Sequence, residues 1–336
     1  MAPAPVRLGL IGAGQWGKAY IRTVNQLPDV CLMRLCSSNP ESRTLAPTEC
    51  QITDDWRSLV ESEDLDGVII ATPPALHAEI AIASLKAGLP VMVEKPMTVK
   101  IEEAVKIHET ALETGTPILV DHTHLFQPAY RRLKQVAKDL GPVKAVRSIG
   151  GQWVKARQDV SPLWDYGPHD VALSIDFMGR APITTRLTDR AEATVAKGYG
   201  EVVSLELEFP DGVVAAVTVG NAMPEKRRLF AVEFDDETLV IDDLADTKLA
   251  RYSNLPVHKL DHRSISLSLK EYKANPIRTE DSLPLTEAVK EFVEGIRAPH
   301  HLTPAFGVEL AVEVTWVLAA CEIDKEHRQI AWHRLY

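Results

Sequence analysis

The stretch LGLIGAGQWGKAY, residues 8–20, decides how the first third of the chain folds. It closes a short apolar run, Val6–Ile11, and opens a helical pattern over Gly14–Gln26. Between them stands Gly12-x-Gly14-x-x-Gly17. In a strand-turn-helix setting the first glycine permits the tight turn and the second lets backbone approach a pyrophosphate. The third lets helix and strand pack closely, and the helix N-terminus favours an anion. Gln15 and Trp16 sit at that N-terminus and join the cofactor-binding set. A bare glycine pattern is weak evidence; here the context predicts dinucleotide binding.

The segments that follow keep the same alternation. Val30–Leu35, Gly67–Ala71, Val91–Val93 and Pro117–Val120 read as buried strands. Ala75–Lys86 and Ile101–Glu113 read as helices between them. Continuous apolar strands separated by helices predict a parallel sheet covered on both faces, the doubly wound fold. After about residue 122 the pattern changes. Pro128–Asp139 looks helical, and then strands dominate. LELEFPDGVVAAVTV (205–219) predicts a hairpin around Pro210-Asp211-Gly212, and LFAVEFDDETLVIDD (229–243) another at Asp235-Asp236. Late helices are expected near 285–297 and 305–322. The fold class is therefore α/β, with a Rossmann domain over 1–122. A second α/β domain over 123–336 carries a large, mostly antiparallel open sheet, and the late helices are candidates to pack back on the first domain.

Bulk properties agree with two domains, since 336 residues exceed the roughly 250–300 that one core usually supports. The net charge of −10 argues against nucleic acid or an anionic membrane as partner. No apolar run reaches the roughly 18 residues of a membrane span, and the N-terminus does not read as a signal peptide. Four cysteines without CxxC spacing suit reduced thiols, and a cytoplasmic location is expected.

The end of the second strand should select the cofactor. An acid there would bond ribose hydroxyls and repel a 2′-phosphate. The chain reads LCSSNPESR (35–43), with Ser37 or Ser38 at that position and Arg43 one turn on. Serine and arginine can hold a phosphate, so NADP is expected, with NAD the alternative.

ATPPALH (71–77), AGLPVMVEKPM (87–97) and WDYGPHDVALSID (164–176) make the chain resemble the glucose–fructose oxidoreductase / inositol dehydrogenase / MocA family over nearly its whole length. The resemblance implies oxidation or reduction of sugars, polyols and related alcohols with NAD or NADP. It also implies that an open sheet forms oligomer contacts, in a homodimer or homotetramer. It implies that Thr72, Pro73 and His77 border the cofactor and that Glu94 and Lys95 sit beside the nicotinamide. Asp165 and His169 are implied to meet Lys95 at the substrate. Where the family often has an acid three residues after the histidine, this chain has Ala172.

Elementary chemistry points the same way. Ligands of open parallel sheets bind outside the carboxyl ends of strands, where Glu94 and Lys95 fall. A partly desolvated lysine there suits acid–base work. Pro168 suits a first helical turn, which would place Asp165 and His169 on one side near a helix start. His169 can relay a substrate proton, Asp165 can bind or orient substrate, and Asp170 reads as a structural partner. Two alternatives stand beside the sugar dehydrogenase: a non-catalytic dinucleotide-binding regulator, and a reductase of dihydrodiols or imines.

Weaker signals complete the set. VDHTHLF (120–126) places His122 and His124 two apart without a convincing third ligand, so no metal is expected and His122 is a substrate candidate. Lys155 and Arg157 in GGQWVKARQD (150–159) are either a solvated edge or a cradle for an anionic group such as a nucleotide-sugar diphosphate. Trp153 and Trp164 are core or stacking residues, with Trp164 a substrate candidate. His300-His301 reads as a solvated loop pair.

Overall fold

The computed structural model describes residues 4–195, 198–263, 269–298, 307–323 and, for the backbone alone, 329–331. Two compact units emerge. One holds the chain up to Thr123 together with Leu283–Thr315; the other holds His124–Ser282 with the chain from Trp316 onward.

The first unit is built on a parallel sheet of β1 (Val6–Ile11), β2 (Val30–Cys36), β3 (Gln51–Thr53), β4 (Gly67–Ile70), β5 (Val91–Glu94) and β6 (Ile118–Asp121). The order is β3-β2-β1-β4-β5-β6. Direction of winding reverses between β1 and β4, and such a switch point opens a crevice at the carboxyl ends of the strands. β4 and β5 are buried along their whole length, because helices cover both faces. Ile11, Val68, Ile80, Leu85, Val91, Val93, Ile107 and Val120 share one core cluster. The late helix Pro284–Arg297 belongs to this unit; Phe292 is fully buried and Arg297 bonds Asp29 at 2.8 Å.

The second unit is built on β7 (Ala145–Trp153), β8 (Thr184–Val195), β9 (Gly198–Glu208), β10 (Val214–Gly220), β11 (Ala222–Glu233), β12 (Glu237–Asp242), β13 (Leu249–Ser253), β14 (Ala274–Pro276) and β15 (Gln329–Ala331). The order is β14-β13-β12-β11-β7-β10-β9-β8-β15. Every pairing is antiparallel except β7 with β10. Both expected hairpins are present. Phe209 N–H bonds Val213 O across the first turn, and Phe234 N–H bonds Glu237 O across the second.

Several boundaries move. β3 carries no apolar pattern in QIT and escaped the sequence reading. The segment from Ala75 splits into a 3₁₀ turn, Pro74–Leu76, and a helix, His77–Lys86. The helix expected to begin near Gly167-Pro168 begins at Pro162, with Pro168 inside it. Pro162 takes the first-turn position where a missing N–H costs nothing. The last helix runs Val308–Ile323. His300 and His301 lie outside the described residues.

Candidate active site

The glycine loop is shaped from its sequence upward. Gly12 has φ +97°, and a Cβ there would lie 2.5 Å from the Ala71 carbonyl oxygen across the switch point. A Cβ on Gly17 would lie 2.1 Å from the Gly12 carbonyl oxygen. Gly14 is the opposite case: nothing stands within 4 Å of the position its Cβ would take. It is exposed, as is Gln15, and it begins the helix Gln15–Gln26 without a side-chain cap or an acid in the first turn. Trp16 is half-buried beside them. Two glycines are thus needed by the fold, and the third leaves a gap in front of bare helix N–H groups. That cradle fits a dinucleotide pyrophosphate.

At the end of β2, the Ser37 hydroxyl lies 2.9 Å from that of Ser42 and accepts the Asn39 N–H at 3.1 Å. Ser38 and Arg43 are exposed. No acid follows Cys36 directly, but Glu41 reaches Lys18 at 2.7 Å.

The carboxyl ends of β4, β5 and β6 hold a group of buried polar side chains. Thr72 follows β4, half-buried, and Pro73 is exposed. His77 is fully buried; its Nδ1 lies 3.0 Å from Pro96 O and its Nε2 2.9 Å from Thr72 O. It ties two strand-end loops together rather than standing open toward a ligand. The Lys95-Pro96 peptide is cis. Lys95 and Glu94 are buried, at 6% and 4% exposure.

Two residues that the sequence reading missed join them. Asp121, at the end of β6, is the register partner of Glu94, and the Tyr20 hydroxyl donates to its Oδ2 at 2.5 Å. Burial pushes the Glu94 carboxyl up, and Asp121 beside it pushes it further, while the Lys95 ammonium pulls it back. Burial also raises Asp121, against the pull of Tyr20, Thr123 and Lys95. The rule that placed Glu94 at a strand end applies equally to Asp121, which ends the next strand inside VDHTHLF. His122 follows it, buried.

The second unit holds the other predicted group. Asp165 lies in the first turn of the helix Pro162–Met178 and His169 one turn on, both half-buried. His124 stacks on His169, ring centres 4.2 Å apart and planes 19° apart. Arg157 holds Asp159 bidentately, with Asp165 Oδ1 3.6 Å from its Nη1. Lys155 and Trp153 are exposed. Trp164 is 3% exposed and its indole N–H donates to Glu322, which makes it a core residue. Asp170 is buried, accepts the Ser148 hydroxyl at 2.5 Å, and is pushed up to about 7 by burial. With His124, Gln127, Arg228 and Asp243 it lines a cavity of about 30 Å³, roomy enough for water. Among the described residues no group of three or more His, Cys, Asp and Glu could hold a metal ion. No helix of the described residues is long and apolar enough to cross a membrane.

Residues 6–122 match the model of an oxidoreductase family with an NAD-binding Rossmann fold, that of glucose–fructose oxidoreductase, inositol dehydrogenase and MocA. A solved structure from Magnetospirillum magnetotacticum MS-1, provisionally named an oxidoreductase, is 40% identical over 95% of this chain and 100% of that one, with a TM-score of 0.84. The chain belongs to this oxidoreductase family. Among curated relatives, inositol 2-dehydrogenase 2 of Saccharopolyspora erythraea is 25% identical over 64% of this chain and 66% of its own length. UDP-N-acetylglucosamine 3-dehydrogenase of Acidithiobacillus ferrooxidans is 23% identical over 92% of this chain and 97% of its own. As family membership requires, the chain carries an NAD(P)-binding fold of the type its glycine loop describes.

Proposed function

We propose that this chain transfers a hydride between a nicotinamide dinucleotide and a sugar, polyol or nucleotide-sugar hydroxyl or ketone. The observation that carries the reading is Lys95: a buried ammonium at the end of a parallel strand, in the same unit as an open glycine cradle. A lysine at the carboxyl end of a parallel strand stands where open parallel sheets bind their ligands, and acid–base work suits it there. The bound cofactor supplies hydride exchange at the nicotinamide C4. The residues supply the rest. Gly12, Gly14 and Gly17 shape the cradle, Gln15 and Trp16 open the helix behind it, and Thr72 and Pro73 border it. Lys95 takes or gives the substrate hydroxyl proton and stabilises developing negative charge on that oxygen. His169 relays the same proton and Asp165 orients the substrate. His122, Lys155 and Arg157 are candidates to contact substrate, the two cations suiting an anionic group; the packing of Trp164 supports a core role.

NADP is the preferred cofactor in this reading, because Ser37 and Ser38 bring no carboxylate to the end of β2. The named activities of the relatives, on inositol and on UDP-N-acetylglucosamine, support the substrate class. The test is a panel of sugars, polyols, nucleotide-sugars, dihydrodiols and imines offered with NADP and NAD, followed by absorbance of the reduced cofactor. Turnover of a hydroxyl compound is expected. Cofactor binding with no turnover across the panel would favour a regulator, and turnover of dihydrodiols or imines alone would move the substrate class.

A further inference from the structure

The end of β5 and the end of β6 bring two carboxylates together beside Lys95. Glu94 and Asp121 are register partners on adjacent parallel strands, 4% and 0% exposed. Tyr20, itself fully buried in the helix Gln15–Gln26, donates its hydroxyl to Asp121 Oδ2. Among the described residues neither Glu94 Oε1 nor Asp121 Oδ1 has a hydrogen-bond partner. Two adjacent buried carboxylates, on which Lys95 is the cation that bears among the described residues, disfavour each other's ionised form.

We propose that Glu94 and Asp121 share one proton behind Lys95, with Tyr20 anchoring the pair. Glu94 and Asp121 then exchange a proton with the reacting lysine, and Tyr20 is a positioning residue that holds Asp121. The inference rests on the reading of Lys95 as the acid–base group. The groups that bear on the pair are Lys95 at the end of β5, Tyr20 from the first helix and the Thr123 hydroxyl after β6. Burial raises both carboxyls, as a shared proton requires.

The proton count closes. At rest Lys95 is an ammonium and the pair holds one proton and one negative charge. For alcohol oxidation the ammonium passes a proton to the pair, leaving a neutral amine and two protonated carboxyls. The amine takes the hydroxyl proton; a bound oxidised dinucleotide would supply the acceptor for the hydride released when the carbinol C–H bond breaks. Lys95 then releases that proton to solvent, and the pair returns its extra proton to the amine. One proton is released per hydride transferred. The reverse order serves ketone reduction.

Two measurements test this, and the first needs no substrate. Infrared difference spectra of wild type against Glu94→Gln, Asp121→Asn and Tyr20→Phe, with Asp170→Asn subtracting the other raised acid, should show a protonated buried carboxyl at pH 7. Its titration midpoint should fall by about one pH unit in Glu94→Gln and in Asp121→Asn, since each carboxylate raises the other. Absence of the band at pH 7, or an unchanged midpoint in both variants, would overturn the proposal. The second uses the substrate found by the panel. In Asp121→Asn the remaining carboxyl accepts a proton less readily, so the rising limb of kcat for oxidation should move about one pH unit toward the alkaline side. Tyr20→Phe should also displace this limb without changing cofactor affinity, and keeps the inference testable if Asp121→Asn fails to fold. A uniform loss at all pH values in the folded variants would mean a merely structural cluster. If Lys95→Met stays active, the reading of the function fails. If Lys95→Met is inactive while the pH profiles of the other variants match wild type, only this inference fails.

Discussion

Asp170 shows how much a single buried side chain can decide. It is packed so tightly that a Cβ on Gly150 would lie 2.4 Å from its Oδ2, and burial pushes it up to about 7. The usual aspartate value is about 3.9, so between about pH 4 and pH 7 the folded protein holds a proton that the unfolded chain has released. Folding is then favoured at the acid side of that window and loses stability as pH rises through it. Asp170→Asn cannot ionise and should flatten this slope. Urea midpoints at pH 5 and pH 8 should show the variant gaining on wild type at the higher pH. The gain should be a few kcal/mol at most, since a tenfold change in proton affinity is worth about 1.4 kcal/mol. An equal difference at both pH values would contradict it. At this scale the sequence was informative where chemistry was unusual. Glu94-Lys95 at the end of an apolar strand is legible because charge in such a place needs a reason. Tyr20 and Asp121 were not: tyrosine in a helix reads as core, and only the strand register reveals which carboxylates become neighbours.

Elements were legible where the apolar period was long. The central parallel strands and both hairpins follow from pattern alone, but β3 has three residues and no apolar period to recognise. The helix Pro162–Met178 was entered too late because Pro168 looked like its start. Proline can stand inside a helix when packing outweighs the lost bond, and this turn is buried: a Cβ on Gly167 would meet Leu318 Cδ2 at 2.7 Å. The glycine loop gives the sharpest prediction at this scale. Gly17→Ala should lower thermal stability, because its Cβ meets backbone. Gly14→Ala meets nothing, so it should melt like wild type while its cofactor Kd rises by roughly tenfold or more, since the added methyl occupies the pyrophosphate approach. Equal effects on melting and binding in the two variants would contradict this division. At the end of β2, Ser37→Asp should shift kcat/KM from NADP toward NAD. A hundredfold preference of the wild type for NAD would remove the argument from Ser37 and Ser38.

For the whole molecule, the sequence indicated two sheets and the family, but less of how the second sheet is used. Part of the outer face of that sheet is covered from within the chain. Leu255, Val257 and Leu260 pack on Ile149, Leu229 and Val240 in one cluster. Nearer β8, the same face carries the Arg186–Glu206 pair and half-buried Val214 and Ala216. A homodimer or homotetramer through that remaining strip is still predicted, and a monomer by sedimentation at micromolar concentration would count against it. The proposal to be tested is that Lys95 and His169 act on one proton. The most direct measurement is turnover of Lys95→Met, His169→Asn and the double variant, with folding and cofactor affinity checked for each. The account predicts intact folding and binding and a fall of roughly 10²–10⁴ for Lys95→Met. It predicts a smaller fall for His169→Asn, and a double variant little worse than the more damaged single one, because the two act as a unit. A folded, cofactor-binding Lys95→Met that turns over the true substrate near the wild-type rate would contradict it.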